Sequence, residues 1–163
     1  MNSETPSNRV VLREILDSDL DVFFEDQTDS AAVHMAAFTA DDPNDRAAFN
    51  EHWHKVRMSE AITKMTILCD GQVVGHILAY ELFTKPELSY WVGREFWSQG
   101  IGTSALRAFL EIVQIRPLYA RAASDNKGSI RVLEKSGFVL ESSFRGFANA
   151  RAAEIDEVLM RLD

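Results

Sequence analysis

Two glycines separated by one residue, Gly100 and Gly102, lie where a strand-like run gives way to a helix-like run. Glycine lets backbone N–H groups face a ligand because it has no Cβ atom. The first turn of a helix adds unpaired N–H groups at the positive end of the helix dipole. This combination is typical of a phosphate site. A tight turn without a ligand produces the same spacing, so the glycines alone leave both interpretations open.

The residues around these glycines differ from two standard phosphate-binding loops. A P-loop has Lys and then Ser or Thr after its second glycine, whereas Thr103 follows Gly102 directly. The dinucleotide-binding fingerprint has a third glycine at the position of Ala105. The sequence therefore argues against ATP or NAD bound in those ways.

The composition is that of an acidic globular domain. The chain has 163 residues with a formal net charge of −8, which argues against a general nucleic-acid binder. A lone cysteine, Cys69, excludes an internal disulfide and favours the cytoplasm. The start of the chain lacks a signal-peptide pattern, and no apolar run reaches the ~18 residues of a membrane helix. We expect one cytoplasmic domain over residues 1–163, with 1–8 frayed and no membrane partner.

Strand-like and helix-like runs surround the glycine turn and predict a mixed α/β domain with a mostly antiparallel first half. The runs that predict strands are 9–13, 65–69, 72–80, 87–92, 118–123, 138–141 and 157–162. Helices are predicted to begin at 17–19 and at 41–43, and to span 103–114. A short helix is predicted to begin at Asp125 or Asn126 and to stop at Gly137. The apolar run 33–38 fits either a helix or a strand.

Several local signals refine this outline. Asp70-Gly71 between two β-rich runs predicts a two-residue hairpin, and Gly75 predicts a β-bulge. The stretch 144–154 is predicted to be a loop rich in arginine. No residues have the spacing of a metal site, since His52 and His54 are two apart and point to different helix faces.

Two stretches, in this order, resemble the GNAT superfamily of acyl-CoA-dependent N-acyltransferases. In residues 90–106, Gly100 and Gly102 match the pyrophosphate loop Gln/Arg-x-x-Gly-x-Gly/Ala, and Trp97 takes its first position. Residues 126–138 match the family pattern Asn-x-x-Ser/Ala…Glu-Lys-x-Gly-Phe. Trp97, together with Ser129 and Leu133, is similar to the RimJ/RimL branch of ribosomal-protein N-terminal acetyltransferases.

The resemblance implies a fold and an activity. The expected fold is a central, twisted, mostly antiparallel sheet of about six to seven strands, splayed in the middle and flanked by about four helices. The expected reaction moves an acetyl group from acetyl-CoA to an amine, either a protein N-terminus or a small amine, by direct attack in a ternary complex. In many relatives a tyrosine at the position of Leu133 is the general acid, and its absence motivates an alternative: a non-catalytic acyl-CoA-binding or regulatory module.

The resemblance also assigns residues to acetyl-CoA. Backbone N–H groups are expected to hold the pyrophosphate, from Gln99, Gly100, Ile101, Gly102, Thr103 and Ser104. The pantetheine arm is expected to run along Tyr90, Trp91 and Val92, with the Val92 N–H as an oxyanion donor. Asn126 is expected near the pantetheine or thioester, and Ser129 near the sulfur as a candidate general acid.

The sequence says less about the residues that bind and activate the acceptor amine. Glu87, at the start of the strand that carries the thioester, is the first candidate for the base, with Glu81 and His76 as further candidates. Proximity alone supplies much of the rate in such reactions, so a dedicated base is not required. The acceptor site is predicted between the early helices and the 144–154 stretch, lined by Phe38, Trp53, Arg145, Phe147, Asn149 and Arg151. Exposed apolar residues on the final strands suggest a homodimer.

Overall fold

The computed structural model describes residues 9–163, so the expectation for residues 1–8 lies outside the described part. In that range the chain forms seven strands and five α-helices, in a single sheet with helices on both faces. The strands are β1 Val10–Arg13, β2 Thr63–Cys69, β3 Gln72–Leu82, β4 Lys85–Val92, β5 Leu118–Ala123, β6 Val139–Ala148 and β7 Ala153–Leu162. The helices are α1 Asp19–Thr28, α2 Ser30–Ala36, α3 Arg46–Met58, α4 Ile101–Ile112 and α5 Lys127–Lys135.

The strand order in the sheet is β1-β2-β3-β4-β5-β7-β6. Every neighbouring pair is antiparallel except β4 and β5, which are parallel. The predicted class, a mixed α/β domain around a mostly antiparallel sheet, is confirmed. The ambiguous run 33–38 is partly helical, since α2 covers residues up to Ala36, and this gives one helix more than the four expected.

The two faces of the sheet are buried by different helices. On one face α4 and α5 pack Leu106, Phe109 and Leu133 into the larger core cluster. On the other, α1 and α3 pack Phe23 and Trp53 against the sheet. Because successive side chains of a strand alternate between faces, β3 contributes to both cores, with Ile77 in the first and Leu78 in the second. None of the helices within residues 9–163 is long and apolar enough to cross a bilayer.

The local turn predictions are confirmed. Asp70 and Gly71 both have positive φ angles, 51° and 80°, as a two-residue hairpin turn requires. The register of β2 against β3 shifts between Ile67 and Leu68, opposite Gly75. A Cβ atom at Gly75 would lie 1.9 Å from the Trp91 carbonyl oxygen, so only glycine allows this approach of β3 to β4.

Two predictions, for the 144–154 stretch and for the start of the second helix, were wrong in a way that affects the site or its supports. The 144–154 stretch is not a loop, because β6 and β7 pair from Val139↔Arg161 to Ala148↔Ala153 and leave only a short turn between them. The strand predicted at 138–141 continues as β6 to Ala148. This continuation was missed because β6 is an edge strand with most residues exposed, so it lacks the alternation that identifies a half-buried strand. The helix expected from 41–43 begins instead at Arg46, where the Asp45 carboxylate accepts from the Ala48 N–H.

Candidate functional site

The sheet opens between β4 and β5. These strands pair only at Glu87↔Tyr119 and Leu88↔Ala120. Beyond this point β4 continues to Val92 against β3, whereas β5 continues to Ala123 against β7. The edges of β4 and β5 that face the gap therefore have no strand partner, and their backbone groups can pair with an extended ligand.

A cavity of about 460 Å³ occupies this gap. Its lining includes Tyr90, Ser129 and Leu133 from the α5 side and Trp53, His76 and Glu157 from the α1–α3 side. Since residues of both faces line it, the cavity passes through the sheet. Its volume lies within the ~300–1,000 Å³ range typical of small-molecule sites.

The glycine turn lies at the start of α4, next to the end of β4. Gly100 adopts the left-handed conformation, with φ 77°, and caps α4. The first helical hydrogen bond runs from the Ser104 N–H to the Gly100 carbonyl, so the N–H groups of residues 101–103 precede the helical ladder. These donors at the positive helix end are suited to a pyrophosphate.

Trp97 links this turn to the strand before it. Its indole Nε1 donates a hydrogen bond of 2.8 Å to the carbonyl oxygen of Val92, the last residue of β4. This contact fixes the distance between the end of the open strand and the glycine turn. The aromatic residue at the position where the family pattern has Gln or Arg is thus an anchor for the turn.

Tyr90 and Ser129 form a pair of hydroxyl groups on the α5 side of the gap. The Tyr90 Oη and Ser129 Oγ atoms lie 3.1 Å apart. Burial raises the pKa of the Tyr90 hydroxyl, and the contact with Ser129 offsets part of that rise. Tyr90 is therefore neutral at physiological pH, and the pair has a proton to donate.

Asn126 occupies the N-cap of α5. Its Oδ1 accepts a hydrogen bond of 3.2 Å from the Ser129 N–H, while the residue lines the cavity. Of the alternatives Asp125 and Asn126, the cap is Asn126, and Gly137 follows the helix with φ 96°. The Asn126 Nδ2 has no hydrogen-bond acceptor among residues 9–163, so a donor remains for a ligand.

Glu87 is far more buried than a carboxylate at the start of a strand usually is. Only 1% of the residue is exposed, and its Oε1 accepts a hydrogen bond of 2.7 Å from the Arg121 Nε. Its Oε2 is buried without a partner in the described chain. Glu87 lies where β4 and β5 last pair, directly before the gap opens. Its role as the base stays a prediction.

The further candidates for the base lie in different surroundings. Glu81 is exposed near the end of β3 and is absent from the cavity lining. His76 lines the cavity, with its ring 4.8 Å from the rings of both Phe23 and Trp53. Burial lowers the pKa of His76 to about 3, with His52 adding to the effect, so its ring is neutral at physiological pH.

Of the six residues expected around the acceptor, Phe38 and Trp53 line the cavity. Arg145 instead pairs with Asp156 at the exposed side of the β6–β7 hairpin, with 3.3 Å between the charged atoms. Phe147 is 61% exposed on β6 and lies outside the lining.

Asn149 and Arg151 also lie outside the cavity lining. Asn149 donates to the Thr39 carbonyl oxygen at 2.9 Å. Arg151 donates to both carboxylate oxygens of Asp125 and to the His34 carbonyl oxygen. Both side chains therefore tie the turn between β6 and β7 to the α2 region. They were expected at the site because 144–154 was treated as a loop.

The structure adds cavity residues that the sequence analysis did not select as site residues. The principal ones are Glu157 on β7, Arg121 on β5, Tyr80 on β3 and His52 on α3. For Glu157 a signal existed, because a carboxylate stands directly before the apolar run Val158-Leu159-Met160 of a strand. No group of three or more potential metal ligands occurs in residues 9–163.

Comparison with known proteins agrees with the resemblance seen in the sequence. Residues 9–139 match the family described as the Acetyltransferase (GNAT) domain. The chain is similar to a Bacillus subtilis (strain 168) protein provisionally named ribosomal N-acetyltransferase YdaF, with 28% identity over 119 residues. That alignment covers 66% of this chain and 65% of the relative, so the chain spans slightly less than two thirds of that protein.

Solved structures share the fold. RimJ of Mycobacterium smegmatis, solved in complex with CoA-disulfide, has a TM-score of 0.77 at 21% identity and covers 96% of this chain and 83% of its own. A GNAT superfamily phosphinothricin acetyltransferase from Sinorhizobium meliloti, solved in complex with AcCoA, has a TM-score of 0.77 at 17% identity. That alignment covers 94% of this chain and 87% of the other.

Proposed function

Because the chain belongs to the GNAT family of acetyltransferases, we propose that it moves the acetyl group of acetyl-CoA to a primary amine by direct attack in a ternary complex. The observation that carries this proposal is the cavity through the sheet between β4 and β5, with the glycine turn beside it. Two substrates entering from opposite faces of the sheet would meet in this cavity. Holding them together in this way supplies much of the rate in a two-substrate reaction.

The residues present fit acetyl-CoA. The N–H groups at the start of α4 suit its pyrophosphate, and the free edges of β4 and β5 suit its amide-containing arm. One donor in the cavity lining, the Asn126 Nδ2, has no acceptor in residues 9–163 and suits a carbonyl oxygen. When bound, acetyl-CoA supplies an acetyl carbonyl activated by its thioester.

The chain must then supply a proton to the leaving sulfur. Leu133 is buried at the position where many relatives have a tyrosine, so the hydroxyl group has to come from elsewhere. We assign this role to Ser129, whose hydroxyl contacts that of Tyr90 and can be reprotonated through it. The Asn126 side chain holds the Ser129 backbone N–H and thereby fixes the position of the serine.

For the acceptor we propose a peptide N-terminus or a small primary amine. The similarity to YdaF, named for ribosomal N-acetylation, and to RimJ favours the peptide. We also propose a cytoplasmic location, on the ground that Cys69 is a buried free thiol. A homodimer through exposed apolar residues of the final strands stays a prediction, which sedimentation velocity would test.

The test begins with calorimetric titration of the protein with acetyl-CoA and, separately, with desulfo-CoA. Micromolar binding of both is expected, and absence of binding would overturn the proposal. Thiol release is then followed with a panel of tetrapeptides beginning with alanine, serine or methionine, and with n-butylamine, lysine and spermidine. Binding without turnover of any of these amines would favour the alternative of a non-catalytic acyl-CoA-binding module, which the buried Leu133 motivates.

A further inference from the structure

Glu157 is a buried carboxylate that faces the cavity from β7. Only 9% of the residue is exposed, and it lines the cavity on the α1–α3 side. A Cβ atom at Gly146 would lie 3.5 Å from its Oε2 and 3.3 Å from the Phe38 ring. The carboxylate is therefore enclosed by the β6 backbone and an aromatic side chain on the α1–α3 side of the sheet.

This carboxylate has no charged partner of its own. Among residues 9–163, no Lys, Arg or His nitrogen lies within salt-bridge distance of Glu157, and no side chain donates a hydrogen bond to it. The cation that influences it, Arg121, gives its Nε to Glu87. The three groups together carry one net negative charge, which leaves Glu157 able to bind a cationic ligand.

The neighbouring charges set its proton affinity. Burial raises the pKa of Glu157, the charge of Arg121 lowers it, and that of Glu87 raises it, with a net rise. The other titratable groups in the cavity lining are Arg121, Tyr90, Tyr80, His76 and His52. Burial raises the pKa values of Tyr80 and Tyr90 and lowers those of both histidines, so these four groups are uncharged at physiological pH. Glu157 is thus the one carboxylate among the described residues that line the cavity.

We propose that Glu157 binds the ammonium group of the acceptor and removes one of its protons, while the Arg121–Glu87 pair holds the surrounding strands in place. This inference rests on the proposed function. The other candidate, Glu87, already has Oε1 bonded to Arg121 and is absent from the cavity lining.

The proton balance follows from this assignment. The acceptor arrives as R–NH₃⁺, and Glu157 takes one proton to give the free amine. The amine lone pair forms the N–C bond to the acetyl carbonyl carbon, and the C–S bond breaks. Ser129 gives its hydroxyl proton to the leaving sulfur and is reprotonated through Tyr90. The second proton of the nitrogen replaces the one that this pair has lost, so the products are the amide and a thiol. Glu157 then releases its proton to solvent.

The test compares Glu157→Gln and Glu157→Asp with the unmodified protein, using the best acceptor of the panel described above. Glu154→Gln is the matched control, since it removes the same charge from an exposed position of the same strand. We expect E157Q to lower kcat/KM for the amine by about 10²–10³-fold at pH 7. Acetyl-CoA affinity by calorimetry should change less than threefold, and E154Q should behave like the unmodified protein.

The pH profile separates a base from a structural residue. In the unmodified protein kcat/KM should fall at acid pH as Glu157 becomes protonated, and E157D should keep this limb with a lower plateau. In E157Q, kcat/KM should instead rise as the acceptor amine loses its proton in solution, which occurs near pH 8 for an α-amine. The deficit of E157Q should therefore shrink to less than tenfold at pH 9.5.

Two outcomes would overturn the inference, and they differ from each other. An active unmodified protein together with an E157Q variant of equal activity and unchanged acid limb would exclude Glu157 but leave the acetyltransferase assignment intact. A protein that binds no acetyl-CoA, or acetylates no amine of the panel, would remove the proposed function and this inference with it.

Discussion

Asp19 and Glu157 are both buried carboxylates, yet their surroundings are opposite. Asp19 accepts two hydrogen bonds from Arg13, at 2.6 and 2.9 Å, one from the Leu16 N–H and one from the Thr66 hydroxyl. Glu157 faces a cavity and has no such donor. Burial alone would raise the pKa of Asp19, but these donors outweigh burial and lower it, whereas the pKa of Glu157 is raised.

The difference distinguishes a buried carboxylate that stabilises the fold from one that can bind a ligand. A buried carboxylate whose acceptor sites are filled has nothing left to offer a ligand, and it joins β1, β2 and α1 into one unit. A buried carboxylate beside a cavity keeps unused acceptor sites and has a pKa shifted toward neutral pH. Burial of a charge is therefore not informative by itself, and the number of its partners decides which role it has.

The largest effect expected from this comparison is on stability. Asp19→Asn leaves the Arg13 guanidinium and the Thr66 hydroxyl without their anion, and should cost about 3–5 kcal/mol of unfolding free energy. Urea denaturation at pH 7 measures this loss. Asp17→Asn, which breaks an exposed ion pair with Arg57, is the matched control and should cost about 1 kcal/mol or less.

The pH dependence of the stability of D19N provides a second test of the same comparison. Because the folded-state pKa of Asp19 is lowered, its contribution is present above the unfolded pKa and is lost as pH falls through the folded value. The deficit of D19N should thus be largest near neutral pH and should shrink in acid. A D19N variant within 1 kcal/mol of the unmodified protein at pH 7 would show that the four hydrogen bonds do not stabilise the fold.

The second prediction concerns the hydroxyl pair at the cavity. Ser129→Ala should lower kcat by about 10²-fold, the lower end of general acid catalysis, with little change in acetyl-CoA affinity. Tyr90→Phe should have a smaller effect in the same direction. If the two hydroxyls act as one unit through their 3.1 Å contact, the double variant should be no slower than S129A. Additive losses would mean that Tyr90 and Ser129 act independently.

The parts of this structure that local chemistry determines were predictable from sequence. The turn at Asp70-Gly71, the left-handed Gly137 after α5 and the cap at Asn126 each depend on a few neighbouring residues. The glycine turn before α4 belongs to the same class. The glycine turn and the stretch from Asn126 to Gly137 also carried the family resemblance, and the proposed acetyl-CoA side of the site rests on them.

The acceptor side was less predictable because it forms across the sheet. Glu157 reaches the cavity through the pairing of β7 with β5, and nothing in its neighbours along the chain indicates which residues will lie opposite. The arginines of β6 and of the turn after it were expected at the site, yet Arg145 and Arg151 are bound to Asp156 and Asp125. Charged residues in an exposed strand resemble those of a binding loop in sequence, and only pairing distinguishes them.

The third prediction concerns Asn126, whose side chain both caps a helix and offers a donor to the cavity. Its Oδ1 caps α5, and its Nδ2 is free toward the cavity. Asn126→Ala should cost about 1 kcal/mol through loss of the cap and should also slow transfer. Asn126→Asp keeps a capping oxygen but removes the donor, so its melting temperature should be preserved while kcat falls. Equal kcat values for N126D and the unmodified protein would limit Asn126 to the cap.

The smallest expected effect on catalysis comes from Asp26, which tests whether a buried carboxylate without a partner must line the cavity to take part in the reaction. Its Oδ2 is buried without a partner, but Asp26 is absent from the cavity lining. Burial, with Glu95, Glu25 and Asp29 adding repulsion, raises the pKa of Asp26 to about 7. The folded protein therefore holds this proton more tightly than the unfolded chain, and the stability from this group is present at acid pH and lost as pH rises toward 7.

Asp26→Asn removes that dependence. The stability of D26N relative to the unmodified protein should increase between pH 5 and pH 8, by about 2–3 kcal/mol, because the unmodified protein must ionise a buried carboxylate over this range. Urea denaturation at both pH values measures the change, and Glu25→Gln, an exposed neighbour, should give less than half of it. The acid limb of kcat/KM should be the same in D26N as in the unmodified protein. A shifted acid limb would mean that the ionisation of Asp26 affects catalysis. In that case, lining the cavity would not be what distinguishes Glu157 from Asp26.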